Sequence, residues 1–247
     1  MTDQLGFRGR IGIVVPSTNT VCQPESDLLR PRGVTNHTGR ISIKERPLTS
    51  ERAFMEHVQA MRDGMRTAID QVMTCLPTHV IMGVALEAFW GGVQAADDLQ
   101  RELTERAGVG VSMGSTAMRA ALNLLGAKRI AVLTPHQPRG DEQVLQYFSE
   151  AGYDIKRLTG LKCASPTLIA HTPERQIVDA LRALDGDDID VLVQVGTNLA
   201  AIRLCADAER WLGKPVLAIN AITYWDALRR SGIADKIAGY GSVLEKF

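Results

Sequence analysis

RIGIVVPSTNT (residues 10–20) and RIAVLTPHQP (residues 129–138) decide the fold of this chain. Each is a short β-branched apolar run that ends in proline and runs into a turn, which is how a buried strand reads. Two further pairs repeat in the same order. THVIMGV (78–84) matches DVLVQVG (190–196), and VGVSMGSTAMRAALNLLGAKRI (109–130) matches KPVLAINAITYWDALRRSGIADKI (214–237). One such pair can arise by chance, but three in register along the chain read as a duplicated unit.

Working outward, apolar runs at 10–15, 41–43, 79–84, 109–113, 129–134, 191–195 and 215–219 predict strands. Between them lie segments of helical period. Phe54, Val58, Met61, Met65, Ile69 and Val72 recur at three and four, as do Ile177, Val178, Leu181 and Leu184. The segments 115–125 and 143–151 end at Gly126 and Gly152, as helices do. Strand–helix alternation predicts an α/β protein of two pseudo-symmetric Rossmann-like lobes, each with a mainly parallel sheet flanked by helices. Residues 1–116 with 215–247 are expected to form the first lobe and 117–214 the second. In parallel sheets ligands collect at the carboxyl ends of strands, so the active site is expected in the cleft between the lobes.

The chain has 247 residues with 28 basic and 28 acidic side chains, a balance that offers no field to collect nucleic acid or an anionic membrane. Its apolar runs are far shorter than the roughly twenty residues that span a bilayer, and MTDQLGFRGR has no apolar signal core; a cytoplasmic location is expected. Cys22, Cys75, Cys163 and Cys205 are scattered, as are His37, His57, His79, His136 and His171, so neither zinc nor a disulfide framework is indicated.

The loop PSTNT offers Ser17, Thr18 and Asn19 as donors for a carboxylate at a turn where a helix should start. It lacks the glycines and lysine of a phosphate loop. In the second lobe Gly196 would let a ligand approach the backbone while Thr197 and Asn198 donate to it. The equivalent first-lobe loop, VALEAFWGG, places Val84 and Ala85 at the strand end and Glu87 beside Phe89 and Trp90, apolar neighbours that would raise a carboxyl pKa. His136 follows the strand equivalent to the one bearing PSTNT, a position suited to proton transfer or anion binding. Cys22, three residues after Asn19, could face the cleft. Against each stands the plainer reading of a helix cap, an exposed glutamate, a surface histidine or a packed thiol.

Taken together, PSTNT at 16–20, FWGG at 89–92, GAKRIAVLTPH at 126–136 and KPVLAINAITYWDALRRSGI at 214–233 resemble the aspartate/glutamate racemase superfamily, in its maleate cis-trans isomerase and arylmalonate decarboxylase branch. The resemblance implies a small carboxylate substrate, no cofactor, no metal and an assembly of like subunits. It implies a carboxylate-holding role for Asn19. It also implies cysteines at strand ends where this chain has Val84 and Gly196, and a carboxylate-binding tyrosine where it has His136. The favoured expectation is therefore a lyase or hydrolase in which Glu87 or His136 moves protons. The alternatives are isomerase or decarboxylase chemistry through Cys22, and a protein that binds a small acid without turning it over.

Overall fold

The computed structural model describes residues 3–247. Strands β1 (Gly9–Pro16), β2 (Val34–Ile41), β3 (His79–Met82) and β4 (Gly110–Met113) form one sheet in the order β2-β1-β3-β4. Strands β5 (Arg129–Thr134), β6 (Asp154–Gly160), β7 (Val191–Gln194) and β8 (Val216–Ala218) form a second in the order β6-β5-β7-β8. Every pairing is parallel. The three sequence repeats thus occupy equivalent strands of two sheets with one topology.

The central strands are apolar on both faces because helices cover both, as parallel sheets require. Ile11, Ile13, Val14 and Val15 in β1 and Ile130 to Leu133 in β5 are fully buried. The long helix α2 (Glu51–Met73) buries its predicted stripe, and Ser50 caps it by accepting from the Ala53 N–H at 3.3 Å. The remaining helices relevant to the site are α1 (Cys22–Leu28), α3 (Leu86–Phe89), α4 (Gly92–Ala107), α5 (Gly114–Leu124), α6 (Pro138–Glu150), α7 (Glu174–Leu184), α8 (Ile202–Leu212) and α9 (Ile219–Arg230).

Three differences from the sequence reading have physical causes. Strand β2 covers 34–41 rather than 41–43, and β6 carries no apolar run at all; both are edge strands, where one side faces solvent and polar residues such as Asn36, His37, Lys156 and Arg157 are tolerated. Helix α6 starts at Pro138, where proline fits the first helical turn. Strand β8 pairs with β7 and so belongs to the second sheet, which moves the expected start of the returning first-lobe segment from 215 to the β8–α9 junction. Beyond that junction α9 packs against β3, β4 and α1.

Close packing of α2 on β2 depends on Gly39, where an added Cβ would lie 2.7 Å from the Ala68 carbonyl oxygen. Backbone cannot swing aside as a side chain can, so Gly39→Ala is expected to cost about 1–3 kcal/mol. Urea unfolding would show this as a lower midpoint with unchanged slope.

Candidate active site

The carboxyl ends of both sheets meet at one cleft of about 670 Å³, its open mouth included. From the first lobe come Pro16, Thr18 and Asn19 after β1, Val84 to Glu87 after β3, and Phe54, His57 and Met61 from α2 with Leu48 before it. From the second come Pro135, His136 and Gln137 after β5, Gly196 to Asn198 after β7, and Cys163, Pro166 and Ile169 from the segment following β6. Among the described residues no lysine or arginine lines it. Its lining mixes polar side chains such as Thr18, Asn19, Thr197 and Asn198 with apolar ones such as Leu48, Phe54, Met61 and Ile169.

Among the predicted residues, Thr18, Asn19, Val84, Ala85, Glu87, His136, Gly196, Thr197 and Asn198 line this one cavity. Their hydrogen bonds separate the available from the committed. Asn19 Oδ1 accepts from the Val21 and Cys22 N–H groups at 3.0 and 2.9 Å, and its Nδ2 donates to Thr197 Oγ1 at 3.2 Å, leaving one amide hydrogen. Asn198 is committed differently from the expectation. Its Nδ2 donates to Thr18 O at 3.4 Å and Pro166 O at 2.9 Å, and its Oδ1 accepts from the Thr20 N–H at 2.9 Å, so its side chain ties the lobes together and keeps no amide hydrogen for a ligand. The Thr197 hydroxyl, an acceptor from Asn19, still has its own proton to donate. Among the described residues the backbone N–H groups of Val84, Ala85, Thr197 and Asn198 meet no acceptor. Two strand ends that line the same space thus carry unfilled donors.

Two predicted residues fall outside the cavity wall. Ser17 turns away, exchanging hydrogen bonds with the Ile43 backbone at 3.0 and 3.1 Å. Cys22 lies behind the wall, 2 % exposed, and burial with Glu25 nearby pushes its thiol up to about 12, so it stays protonated and unreactive. The cavity thiol is Cys163, which the sequence did not single out; its Sγ lies 3.6 Å from Thr172 Oγ1, and its N–H donates to the Pro135 carbonyl at 3.0 Å.

Gly196 is tightly enclosed. A Cβ there would stand 2.6 Å from both Cδ and Cγ of Pro135, so that ring fills the space a side chain would need. Val84, by contrast, is a buried side chain in the wall.

Glu87 is 5 % exposed, and its Oε1 has no partner among the described residues. Burial raises its carboxyl to about 7, opposed first by its own backbone N–H and then by Arg62. Of the aromatic neighbours, Phe89 turns inward against Tyr147 and Phe148 at centroid distances of 5.0 and 5.6 Å, and Trp90 packs on Phe54 at 6.1 Å. His136 also leaves a buried Nε2 unpartnered, and burial lowers its imidazole to about 4. It is therefore neutral near pH 7 and can hydrogen-bond a ligand without attracting it as a cation.

These two groups tilt the stability profile in opposite directions. Glu87 is raised, so the native state favours its protonated form and stability falls as pH climbs from about 4.5 to about 7, by on the order of 3 kcal/mol. His136 is lowered, so stability falls as pH drops from about 6.5 to about 4. Subtracting the urea-unfolding profile of Glu87→Gln from that of the wild type should isolate the first slope.

Two parallel lobes closing on a donor-lined cleft place the chain in the aspartate/glutamate racemase superfamily, in its maleate isomerase and arylmalonate decarboxylase branch. The family profile described as arylmalonate decarboxylase matches residues 11–244, and the chain belongs to that family of enzymes. A maleate isomerase of Nocardia farcinica is 25% identical over 249 residues, covering 98% of this chain and 97% of the relative. An arylmalonate decarboxylase of Bordetella bronchiseptica is 26% identical over 170 residues, 67% of this chain and 70% of its own. Among solved structures, the Nocardia farcinica maleate cis-trans isomerase bound to TRIS has a TM-score of 0.88 at 24% identity, covering 96% of this chain and 98% of that one. A mutant of it with a covalently bound succinylcysteine intermediate has a TM-score of 0.87 at 25% identity, with 96% and 98% covered. Among the described residues no group of three or more His, Cys, Asp or Glu could hold a metal ion, and no helix is long and apolar enough to cross a membrane.

Proposed function

We propose that the chain is a cofactor-independent decarboxylase of small malonic acids that carry an apolar substituent. The observation that carries this reading is one cavity whose lining combines strand-end residues with unfilled N–H donors, apolar side chains and a buried carboxyl whose Oε1 has no partner among the described residues. The retained carboxylate would take the Thr197 hydroxyl, the free Asn19 amide hydrogen and the strand-end N–H groups. The leaving carboxylate would face Leu48, Phe54, Met61 and Ile169, where loss of water disfavours its charge. When its bond to the central carbon breaks, carbon dioxide leaves and the electron pair moves into the retained carboxylate as an enediolate, held by those donors. Protonated Glu87 then gives its proton to the carbon.

Decarboxylation is preferred to hydrolysis because the relatives are isomerases and a decarboxylase. A cis-trans isomerase of unsaturated acids is the second reading, favoured by the Cys163 thiol in the cavity and by the succinylcysteine of the structural relative. There the thiolate would add to the double bond, permit rotation and depart. Cys163 takes this role in place of Cys22, whose burial denies it a thiolate.

The test is proton NMR in D2O after separate incubation with phenylmalonate and with maleate, in the presence of EDTA. Phenylmalonate is expected to lose carbon dioxide and give phenylacetate with deuterium on the α-carbon. Conversion of maleate alone would select the isomerase, and ligand-induced thermal stabilisation with no product from either acid would leave only a binding protein.

A further inference from the structure

Glu87 belongs to two cavities. Besides the cleft between the lobes it lines a second, solvent-facing cleft between α2 and α4, with Gln59, Arg62, Trp90, Ala95 and Leu99 among its walls. The side chain is thus a partition, almost fully buried yet bordering a space on either side, with Oε1 satisfied from neither. Around it the second cleft is polar. Arg62, Asp63 and Arg66 face it from α2, and Asp98 and Glu102 from α4. Arg62 lies over the Trp90 ring at 5.7 Å, and Arg66 is paired with Glu102, so of the two guanidinium groups Arg62 is the one without a carboxylate partner among the described residues. His57 lines the interlobe cleft together with Glu87.

Decarboxylation of a dianion to a monoanion and carbon dioxide consumes one proton per turnover. If Glu87 supplies it, as the proposed function holds, the group must be recharged each cycle while substrate or product fills the interlobe cleft. We propose that the α2–α4 cleft is the route by which Glu87 recovers its proton from solvent, with Arg62 as a positioning residue that steadies the carboxylate until the proton arrives. Loss of the proton to substrate leaves an anion at the partition, the Arg62 guanidinium compensates it across the second cleft, and water there returns the proton without passing the bound acid.

Plugging the second cleft tests this on the whole protein. Ala95→Trp places bulk in the α4 wall, at a residue that does not line the interlobe cleft; Leu99→Trp serves if the first variant does not fold. In stopped-flow with phenylmalonate the plugged variant is expected to release a burst of about one product per site and then run roughly tenfold slower, while the wild type shows no burst. Arg62→Gln is expected to raise the pH of the Glu87-dependent limb of kcat, since the anion loses its compensating charge. A folded, plugged variant with a wild-type linear time course would overturn the proton route while the proposed function stands. A wild type that makes no product would remove both.

Discussion

Glu87→Gln is expected to lower turnover of an arylmalonate by about 10²–10³-fold while leaving its dissociation constant within about twofold, because a positioned general acid contributes on that scale and the amide keeps the side chain's shape. The effect is large because Glu87 is the carboxyl of the cleft, and two other groups named from the sequence do not compete with it. His136 is held neutral by burial, with its imidazole lowered to about 4, and Cys22 is sealed behind the wall. Glu87, raised to about 7, holds a proton that is both present and transferable near neutral pH. Isothermal titration and steady-state kinetics on the same preparation separate the two effects. A variant that binds and turns over normally would assign the proton elsewhere, with Cys163 next to be replaced.

The second large effect lies away from the chemistry, at Glu25. This carboxylate of α1 reaches across from the first lobe to accept the Ala201 and Ile202 N–H groups at 2.9 and 3.1 Å and the Asn220 amide at 2.6 Å. Ala201 is the N-cap of α8, whose own side chain offers no acceptor, so the cap of a second-lobe helix is supplied by the first lobe. Glu25→Ala strands three buried donors at once. At about 1–3 kcal/mol for each unsatisfied group, partly offset by relaxation, the expected loss is about 3–5 kcal/mol. Glu25→Gln keeps one acceptor oxygen but turns an amide donor toward the others, and should fall between. Urea unfolding followed by both fluorescence and far-UV circular dichroism checks the size of the loss. It also tests the coupling: if the lobes depend on this contact, the two transitions of the alanine variant should separate.

The duplicated architecture was legible because β1, β3, β5 and β7 are buried on both faces and therefore apolar throughout, and because each ends in a distinctive turn. The edge strands β2 and β6 were not, since VTNHTGRI and DIKRLTG answer to solvent as much as to the sheet. The same logic divides the site. Residues placed by strand ends, such as Asn19, Glu87, His136 and Thr197, could be named from the pattern. Phe54, His57 and Met61 could not, because a helix stripe looks alike whether it packs on a sheet or overlooks a ligand. Cys163 was missed for a related reason: it follows the unrecognised strand β6, so nothing marked its loop as another strand end beside the cleft. Ser17 and Cys22 lie close to Asn19 in sequence, yet the turn directs one outward and buries the other, which a linear pattern does not encode.

A crystal structure with a non-reacting malonate analogue soaked into the interlobe cleft probes the assignment most directly. One carboxylate is expected on the Thr197 and Asn198 N–H groups, the other against Phe54 and Met61, and the central carbon about 3.5 Å from a Glu87 oxygen, within reach of proton transfer. An analogue bound with its central carbon out of reach of Glu87, or seated outside this cleft, would contradict it.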